Sequence, residues 1–562
     1  MIQPGLERIS LLLKGVPLRW KSIHVAGTNG KGSICGYMAA MLRQKQIKTG
    51  LFTSPHLMDR WDCICIDQKP VEKRLFDEVE QYFLSVNRKR NIQASEFEIL
   101  TATAFKIFTE ERVEFGIVEV GMGGELDATN VLQNQIISVI GKIGLDHQQY
   151  LGTTLEEIAK HKAGILRRGV RYIVNPRNSP RVLHVIDEYA KSIGAGPRID
   201  VEADRVKKTL YSTTEWLEGT HNLAQFQKEN AAIALNAVMD ALITIGEHSV
   251  QDLKLVKVLS EDSRVPGRVE RKSINMVFGE QRIILDGAHN EDAAIELSSF
   301  LDEGRRGEWS NNLHRQVMRK VGEAQQRAVL FGNRLKTKPI TWILAMSAGR
   351  DPRTFLSHLL APGDSVVTVE FGPVEGMPWV KPQPSSELLR AAKDVEPSII
   401  AIDRGTDTLR ALYTAKHLLP EDGFVVVTGS LYLVGDVSRL ARDLMNPGQH
   451  SIVESDGMAA KKASREISQE IDEQRRRLDE EESEAVELLK LDHPSGTEAT
   501  ALHPSTEILD FKHGNTQEEL FGNKPSNVML DGEDGEYHTR VVEPAWLDTP
   551  LPPATNGGQQ AT

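Results

Sequence analysis

Apolar residues recur along this chain in two alternating rhythms. Ser22–Ala26, Phe115–Val120 and Ile136–Ile140 are short runs rich in β-branched residues. Each runs into glycine or polar turn residues, which is the pattern of a buried strand. Between them lie stretches of helical spacing, such as Ile34 to Gln44. Strands that pass straight into glycine loops and helices predict an α/β fold on a parallel sheet. A second set begins after Pro266-Gly267-Arg268, with strands expected at Arg282–Leu285, Thr341–Ala345, Ser365–Glu370, Ser398–Ile402 and Phe424–Thr428. The pattern divides the chain into a domain over 1–262, a smaller α/β domain over 263–447 with a surface insertion at 303–338, and a tail over 448–562.

Charge sets the tail apart. The 562 residues carry a formal net charge of -12, but from Gln449 onward 10 Lys/Arg face 24 Asp/Glu. That leaves 57 basic and 55 acidic residues in the body, which offers no electrostatic reason to expect nucleic acid or an anionic membrane as partner. Lys461 to Lys490 is charged and helix-compatible but poor in apolar positions, and polar stretches follow it. The tail therefore reads as acidic and disordered, its partners unspecified. Three cysteines, Cys35, Cys63 and Cys65, are too few for a disulfide framework and fit a reducing compartment. Cys63 and Cys65 have strand-alternate spacing, but no further His or Cys stands beside them to complete a metal site. The opening MIQPGLERIS lacks the pattern of a secretory leader, and no run of about 18 apolar residues occurs. A monomeric cytoplasmic protein is expected, with a mitochondrial pool left open.

One loop changes this picture from a fold to a chemistry. Ser22–Ala26 leads directly into Gly27-Thr28-Asn29-Gly30-Lys31-Gly32-Ser33, and a helix follows. Glycines let backbone N–H groups turn inward toward phosphate oxygens, and the helix N-terminus adds its positive end. Lys31 supplies a full charge, and the Ser33 hydroxyl stands where a metal ion could share it. Further on, Glu119 ends an apolar strand where an open parallel sheet presents its crevice. From the residues alone, Glu119 serves either a magnesium ion or a helix cap. Asp286 after Arg282–Leu285 is equally open, and His289 and Asn290 either face a reacting phosphate or cap the next helix.

His24-Val25-Ala26-Gly27-Thr28-Asn29-Gly30-Lys31-Gly32-Ser33 resembles the phosphate loop of the folylpolyglutamate synthase and dihydrofolate synthase family, within the Mur-ligase superfamily. Further segments are similar to that family in the same order. They are Thr53-Ser54-Pro55-His56, Ser95-Glu96-Phe97-Glu98, Glu119-Val120-Gly121-Met122-Gly123-Gly124, Leu126-Asp127-Ala128-Thr129-Asn130, Gly144-Leu145-Asp146-His147, His161-Lys162-Ala163-Gly164 and Leu285-Asp286-Gly287-Ala288-His289-Asn290. The resemblance implies a P-loop ATPase-like N-terminal domain and a Rossmann-like C-terminal domain. It implies an ATP-dependent ligase with two Mg2+ ions, using dihydropteroate, L-glutamate and ATP. It assigns ATP contacts to the loop from Gly27 to Ser33 and to Asn230, Arg268 and Asp286. Metal contacts go to Ser54, Glu119 and His147, with Ser33 a further oxygen. Lys162 is implied to be carbamylated and to hold the second ion. Lys31, Lys162 and His289 are the implied catalytic set, and Ser95, Phe97, Glu98, Leu126, Asp127 and Ala128 the implied pterin contacts. The Leu126–Asn130 segment and Phe371–Trp379 look like the fungal dihydrofolate synthases, implying dihydropteroate rather than tetrahydrofolate as acceptor. Glu125 stands where the family usually has Arg, a charge reversal beside the implied pterin pocket.

Overall fold

The computed structural model describes residues 5–221, 223–247, 254–261, 265–276, 279–305, 338–420, 423–445, 465–478 and 480, all within one unit, Met1–Asp492. The first sheet has seven strands: β1 (Lys21–Ala26), β2 (Thr49–Phe52), β3 (Ile64–Ile66), β4 (Lys69–Pro70), β5 (Phe115–Glu119), β6 (Gln135–Ile140) and β7 (Arg171–Val174). Their spatial order is β4-β3-β2-β5-β1-β6-β7. The central strands are parallel, while β3 and β4 run antiparallel at one edge. Fully buried runs such as Phe115–Glu119 are the mark of strands covered by helices on both faces. The helices Lys31–Gln44 and Gln225–Thr244 cover one face with Ile34, Met38 and Leu42 against Ala231, Leu235 and Val238.

The second sheet holds β8 (Glu270–Met276), β9 (Gly279–Leu285), β10 (Ile340–Leu344), β11 (Ser365–Thr368), β12 (Ile400–Asp403) and β13 (Phe424–Thr428). Its order is β12-β11-β10-β13-β9-β8. Every expected strand is present to within two residues at its ends, except that β9 begins earlier and forms an antiparallel hairpin with β8. Strand β8 lacks an apolar run because only alternate residues, Ile274 and Met276, face the core. Both sheets are therefore mixed rather than purely parallel.

Two expectations about surface segments need correction. Residues 303–305 are not part of an insertion but the last turn of the helix Glu291–Arg305. Arg305 is buried there and forks onto Asp364 at 2.8 and 2.6 Å. Residues 306–337 lie outside the described residues. Within the tail, 465–478 form a helix whose Ile467 and Ile471 are buried in the second lobe's core. Arg404 donates twice to Glu470, at 3.1 and 2.8 Å. Two isoleucines one turn apart suffice for one buried stripe, each worth about 1.5–3 kcal/mol. The remainder of the expected disorder in 448–562 falls outside the described residues, apart from 480.

Candidate active site

The parallel register fixes the site's first contacts. Val25 of β1 lies opposite Glu119 of β5, so the loop leaving β1 and the carboxylate ending β5 are neighbours by construction. Gly27 has φ 156° and Gly30 has φ 84°, conformations that favour glycine. A Cβ on Gly30 would also stand 2.6 Å from the Asn230 amide oxygen. Not every loop amide faces inward as expected. Thr28 N and Asn29 N both donate to the Lys142 carbonyl, at 2.7 and 3.1 Å. The amides left for an anion are those of the first helical turn, which have no helical acceptor. Lys31 Nζ donates to the Thr28 carbonyl at 3.1 Å and lies 3.9 Å from Glu119 Oε1.

Glu119 is buried, and its Oε2 accepts from Ser54 N at 3.3 Å. Burial pushes its carboxyl upward, opposed by the charges of Lys31 and Arg268. Among the described residues no cluster of three or more His, Cys, Asp or Glu has the arrangement of a metal site. Magnesium does not need one, since it takes one or two protein oxygens and completes its shell with water and phosphate. Glu119, with Ser54 beside it and buried Ser33 on the adjoining helix, fits that requirement. His147 sits in a left-handed turn at φ 51°. Its side chain is 45% exposed, and partial desolvation with the nearby cations Arg350, Lys31 and Lys162 lowers its imidazole against the pull of Asp146, leaving the ring neutral.

Lys162 is buried at the end of the helix Leu155–Ala163, its Nζ donating to the Gly27 carbonyl at 2.8 Å. Burial, then the charge of Lys31, lowers its ammonium to about 7. The second lobe brings Asp286, which accepts from Val269 N and Ala288 N at 2.8 Å each. It also brings His289, whose Nδ1 meets the Gly287 carbonyl at 2.7 Å and whose Nε2 faces Asp146 at 3.6 Å. Asn29 and Asn290 exchange amide hydrogen bonds across the lobes at 3.3 and 3.1 Å. Asp146 stands in the Gly144–His147 segment with no role of its own read from the sequence, and Arg350, joined to it at 2.7 Å, is not marked there. No local pattern marks a pair 204 positions apart.

The implied pterin contacts divide. Ser95 and Glu98 form a reciprocal capping box on the helix Glu96–Glu110, with Glu98 also receiving Arg8 at 3.0 Å. Asp127 is buried and folds its own loop, accepting from Met122 N and from Thr129. Ala128 is part of the core. Phe97, stacked on Phe52 over Gly121, and exposed Leu126 keep apolar surface free for a ligand. Glu125 is exposed, as a group that could face an anion must be. Elsewhere, a cavity of about 220 Å³ lies between the loop after Ser54 and the second lobe, lined by His56, Met58, Glu375, Tyr432 and Arg439. Cys63 and Cys65 are free thiols pushed up by burial, Cys65 to about 12.

Residues 25–238 match the Mur ligase middle domain, and residues 323–440 match the dihydrofolate synthetase C-terminal domain. The chain is 33% identical over 456 residues to the probable dihydrofolate synthetase of Schizosaccharomyces pombe, covering 78% of this chain and 98% of the relative. It is 32% identical over 462 residues to the dihydrofolate synthetase of Saccharomyces cerevisiae, again covering 78% and 98%. Among solved structures it resembles Mycobacterium tuberculosis folylpolyglutamate synthase complexed with ADP, at 25% identity and a TM-score of 0.60, over 78% of this chain and 95% of that one. Its fold is also that of E. coli FolC in complex with DHPP and ADP, at 23% identity and a TM-score of 0.60, over 79% and 95%.

Proposed function

This chain belongs to the dihydrofolate synthase and folylpolyglutamate synthase family, and we propose that within it the protein is a dihydrofolate synthase. It is an ATP-dependent ligase that joins the carboxyl group of dihydropteroate to the amine of L-glutamate. The observation that carries this reading is the meeting of Lys31 and Lys162 on the adjacent carbonyls of Thr28 and Gly27, with Glu119 buried beside them. Two lysine nitrogens and one carboxylate converge on the turn that would hold the phosphates. Similarity to two fungal dihydrofolate synthetases along nearly their whole length favours dihydropteroate as acceptor.

The acceptor carboxylate attacks the γ-phosphorus of ATP, and the bond to the β–γ bridging oxygen breaks, releasing ADP. The resulting acyl phosphate is then attacked at carbon by the glutamate amine. Phosphate leaves, and the amine gives up a proton. Lys31 and the first-turn amides of Lys31–Gln44 stabilise the negative charge on the transferring group. Magnesium, when bound by Glu119 and Ser54, with His147 and carbamylated Lys162 toward a second ion, neutralises phosphate charge. Arg268, Asp286 and Asn230 orient the nucleotide. His289, presented at the lobe boundary, faces the reacting phosphate, while Phe97 and Leu126 form the apolar shelf for the pterin. Carbamylation of Lys162 is supported by its burial and by the lowering to about 7, because only the neutral amine adds to carbon dioxide. The work divides between a domain over 1–262 and one over 263–447, which close over ATP and exclude water.

Chromatography of the products tests the substrate. ADP release should require dihydropteroate, glutamate and a divalent metal together, and the product should carry one glutamate. Extension of tetrahydrofolate at a kcat/KM equal to or above that for dihydropteroate would replace this reading with folylpolyglutamate synthase.

A further inference from the structure

Asp146 is the point at which the two lobes touch the metal-facing side of the site. Its Oδ1 receives both Arg350 Nη1 and the backbone N–H of His147, each at 2.7 Å. Its Oδ2 receives Arg350 Nη2 at 3.4 Å and faces His289 Nε2 at 3.6 Å and His147 Nε2 at 3.9 Å. One carboxylate thus fixes a turn of the first lobe through a bond to that turn's own backbone, and is itself gripped from the second lobe.

We propose that Arg350 is a positioning residue: by clamping Asp146 across the lobe boundary it sets the His147 turn, so that His147 is presented to a divalent metal only when the lobes are closed. The inference rests on the dihydrofolate synthase reading for the identity of the metal site, while Arg350 and Asp146 themselves have no role in that reading.

Three features of the geometry carry it. His147 occupies the left-handed region at φ 51° and ψ 35°, which a non-glycine residue keeps only where its surroundings hold it there. The hold here is the Asp146 carboxylate on the His147 N–H, together with Leu151 N on the His147 carbonyl at 3.0 Å. Arg350 in turn is delivered by a stiff loop. That loop follows β10, turns at Gly349 (φ 84°), and is pinned by Arg350 N on the Ser347 carbonyl at 3.3 Å. Asp351 then caps the helix Pro352–Ser357 through Arg353 N and Thr354 N. A guanidinium on so short a tether reaches Asp146 only when the second sheet's strand ends approach the first. Finally, the fork is two-pronged and largely shielded, with Asp146 10% and Arg350 25% exposed. Such a pair holds the plane of the carboxylate as well as its position. A carboxylate turned by even one rotamer would release the His147 N–H and with it the direction of the imidazole.

Simple adhesion between the lobes would make a different prediction, because the reciprocal Asn29–Asn290 pair and the Arg442–Asp59 ion pair already join them. The test uses the full-length chain with Arg350→Gln and Arg350→Lys. Manganese binding is read by electron paramagnetic resonance of the free ion, in the presence of a non-hydrolysable ATP analogue, and turnover is read with dihydropteroate and glutamate. Groups that orient metal ligands commonly change affinity or activity by about 10–100-fold when lost. Arg350→Gln is expected to weaken the weaker manganese site and to lower kcat, each about tenfold or more, with KM for glutamate within twofold of the parent. Arg350→Lys, which keeps the charge but not the fork, should fall between the two. Manganese affinity and kcat both within twofold of the parent in Arg350→Gln would overturn the proposal. So would a tenfold rise in the glutamate KM with manganese binding unchanged, which would make Arg350 a substrate-carboxylate ligand instead. Should Arg350→Gln lower the melting temperature, Arg350→Lys decides by the same criteria. A parent protein without ligase turnover would sink the functional reading alone, since manganese affinity still reports on Arg350.

Discussion

The phosphate side of the crevice and its pterin side were read from motifs of similar length, yet they hold their residues in opposite ways. On the phosphate side, Lys31, Glu119 and Lys162 are held by few contacts and converge on one turn. On the pterin side, Ser95, Asp127 and Oε2 of Glu98 are engaged in local structure, while the buried Oε1 of Glu98 has no hydrogen-bond partner. A polar residue in a functional motif is free for a ligand only if its own backbone does not need it. The difference separates residues that do chemistry from residues that shape the chain around it.

The largest test of that contrast is Glu119→Ala, which should lower kcat by about 3–4 kcal/mol in barrier, two to three orders of magnitude, with the fold intact. Circular dichroism and single-turnover kinetics read both halves, and near-normal turnover would remove the carboxylate from the chemistry. Next in size is the dependence on carbon dioxide. The Lys162 amine is lowered to about 7, so its protonated form, which cannot add carbon dioxide, dominates below that pH. Activity in bicarbonate should therefore rise as pH rises through about 7, and Lys162→Ala or carbon dioxide-free buffer should remove that rise. On the other side, Glu98→Ala should cost about 1.5–3 kcal/mol of stability, read by denaturant unfolding, because it removes both the cap bond to Ser95 N and the bond from Arg8. Its kcat should stay within a few-fold of the parent. A tenfold rise in the dihydropteroate KM at unchanged stability would place Glu98 among the ligand contacts and erase the contrast.

The smallest effect belongs to a region remote from both sides. A chain ending at 447 loses Ile467, Ile471 and the Arg404–Glu470 fork, whereas one ending at 480 keeps them. Turnover should survive in both, but only the shorter chain should melt lower, by a few degrees. Identical melting curves would show that the docked helix adds nothing to the lobe.

What could be read from the sequence follows from how far apart cooperating residues lie. The phosphate loop was legible because strand, turn and helix are contiguous, and β5 was legible as an unbroken apolar run. The β8–β9 hairpin was not, because alternate burial in a polar-looking segment imitates a surface loop. The segment holding 465–478 was legible as helix-compatible, but its docking was hidden for a related reason: two buried isoleucines among many charges fall below what composition can detect. The Asp146–Arg350 and Asn29–Asn290 pairs, 204 and 261 positions apart, exist only once two separate sheets have formed.

The reciprocal pairing of Asn29 with Asn290 also bears on how long the molecule lasts. Asn29 is followed by Gly30, and an Asn-Gly step is the dipeptide in which the next backbone nitrogen most readily attacks the side-chain amide, closing a succinimide and expelling ammonia. Hydrolysis of that ring would leave an acid, or its isomer, in the turn meant for phosphates. With its amide engaged from both ends by Asn290, the Asn29 side chain is kept from swinging onto the Gly30 nitrogen. Asn290→Ala should therefore age faster in warm storage, gaining about one mass unit in the peptide that contains Asn29 while activity declines in step. The clasp between the lobes is, on this account, also a preservative.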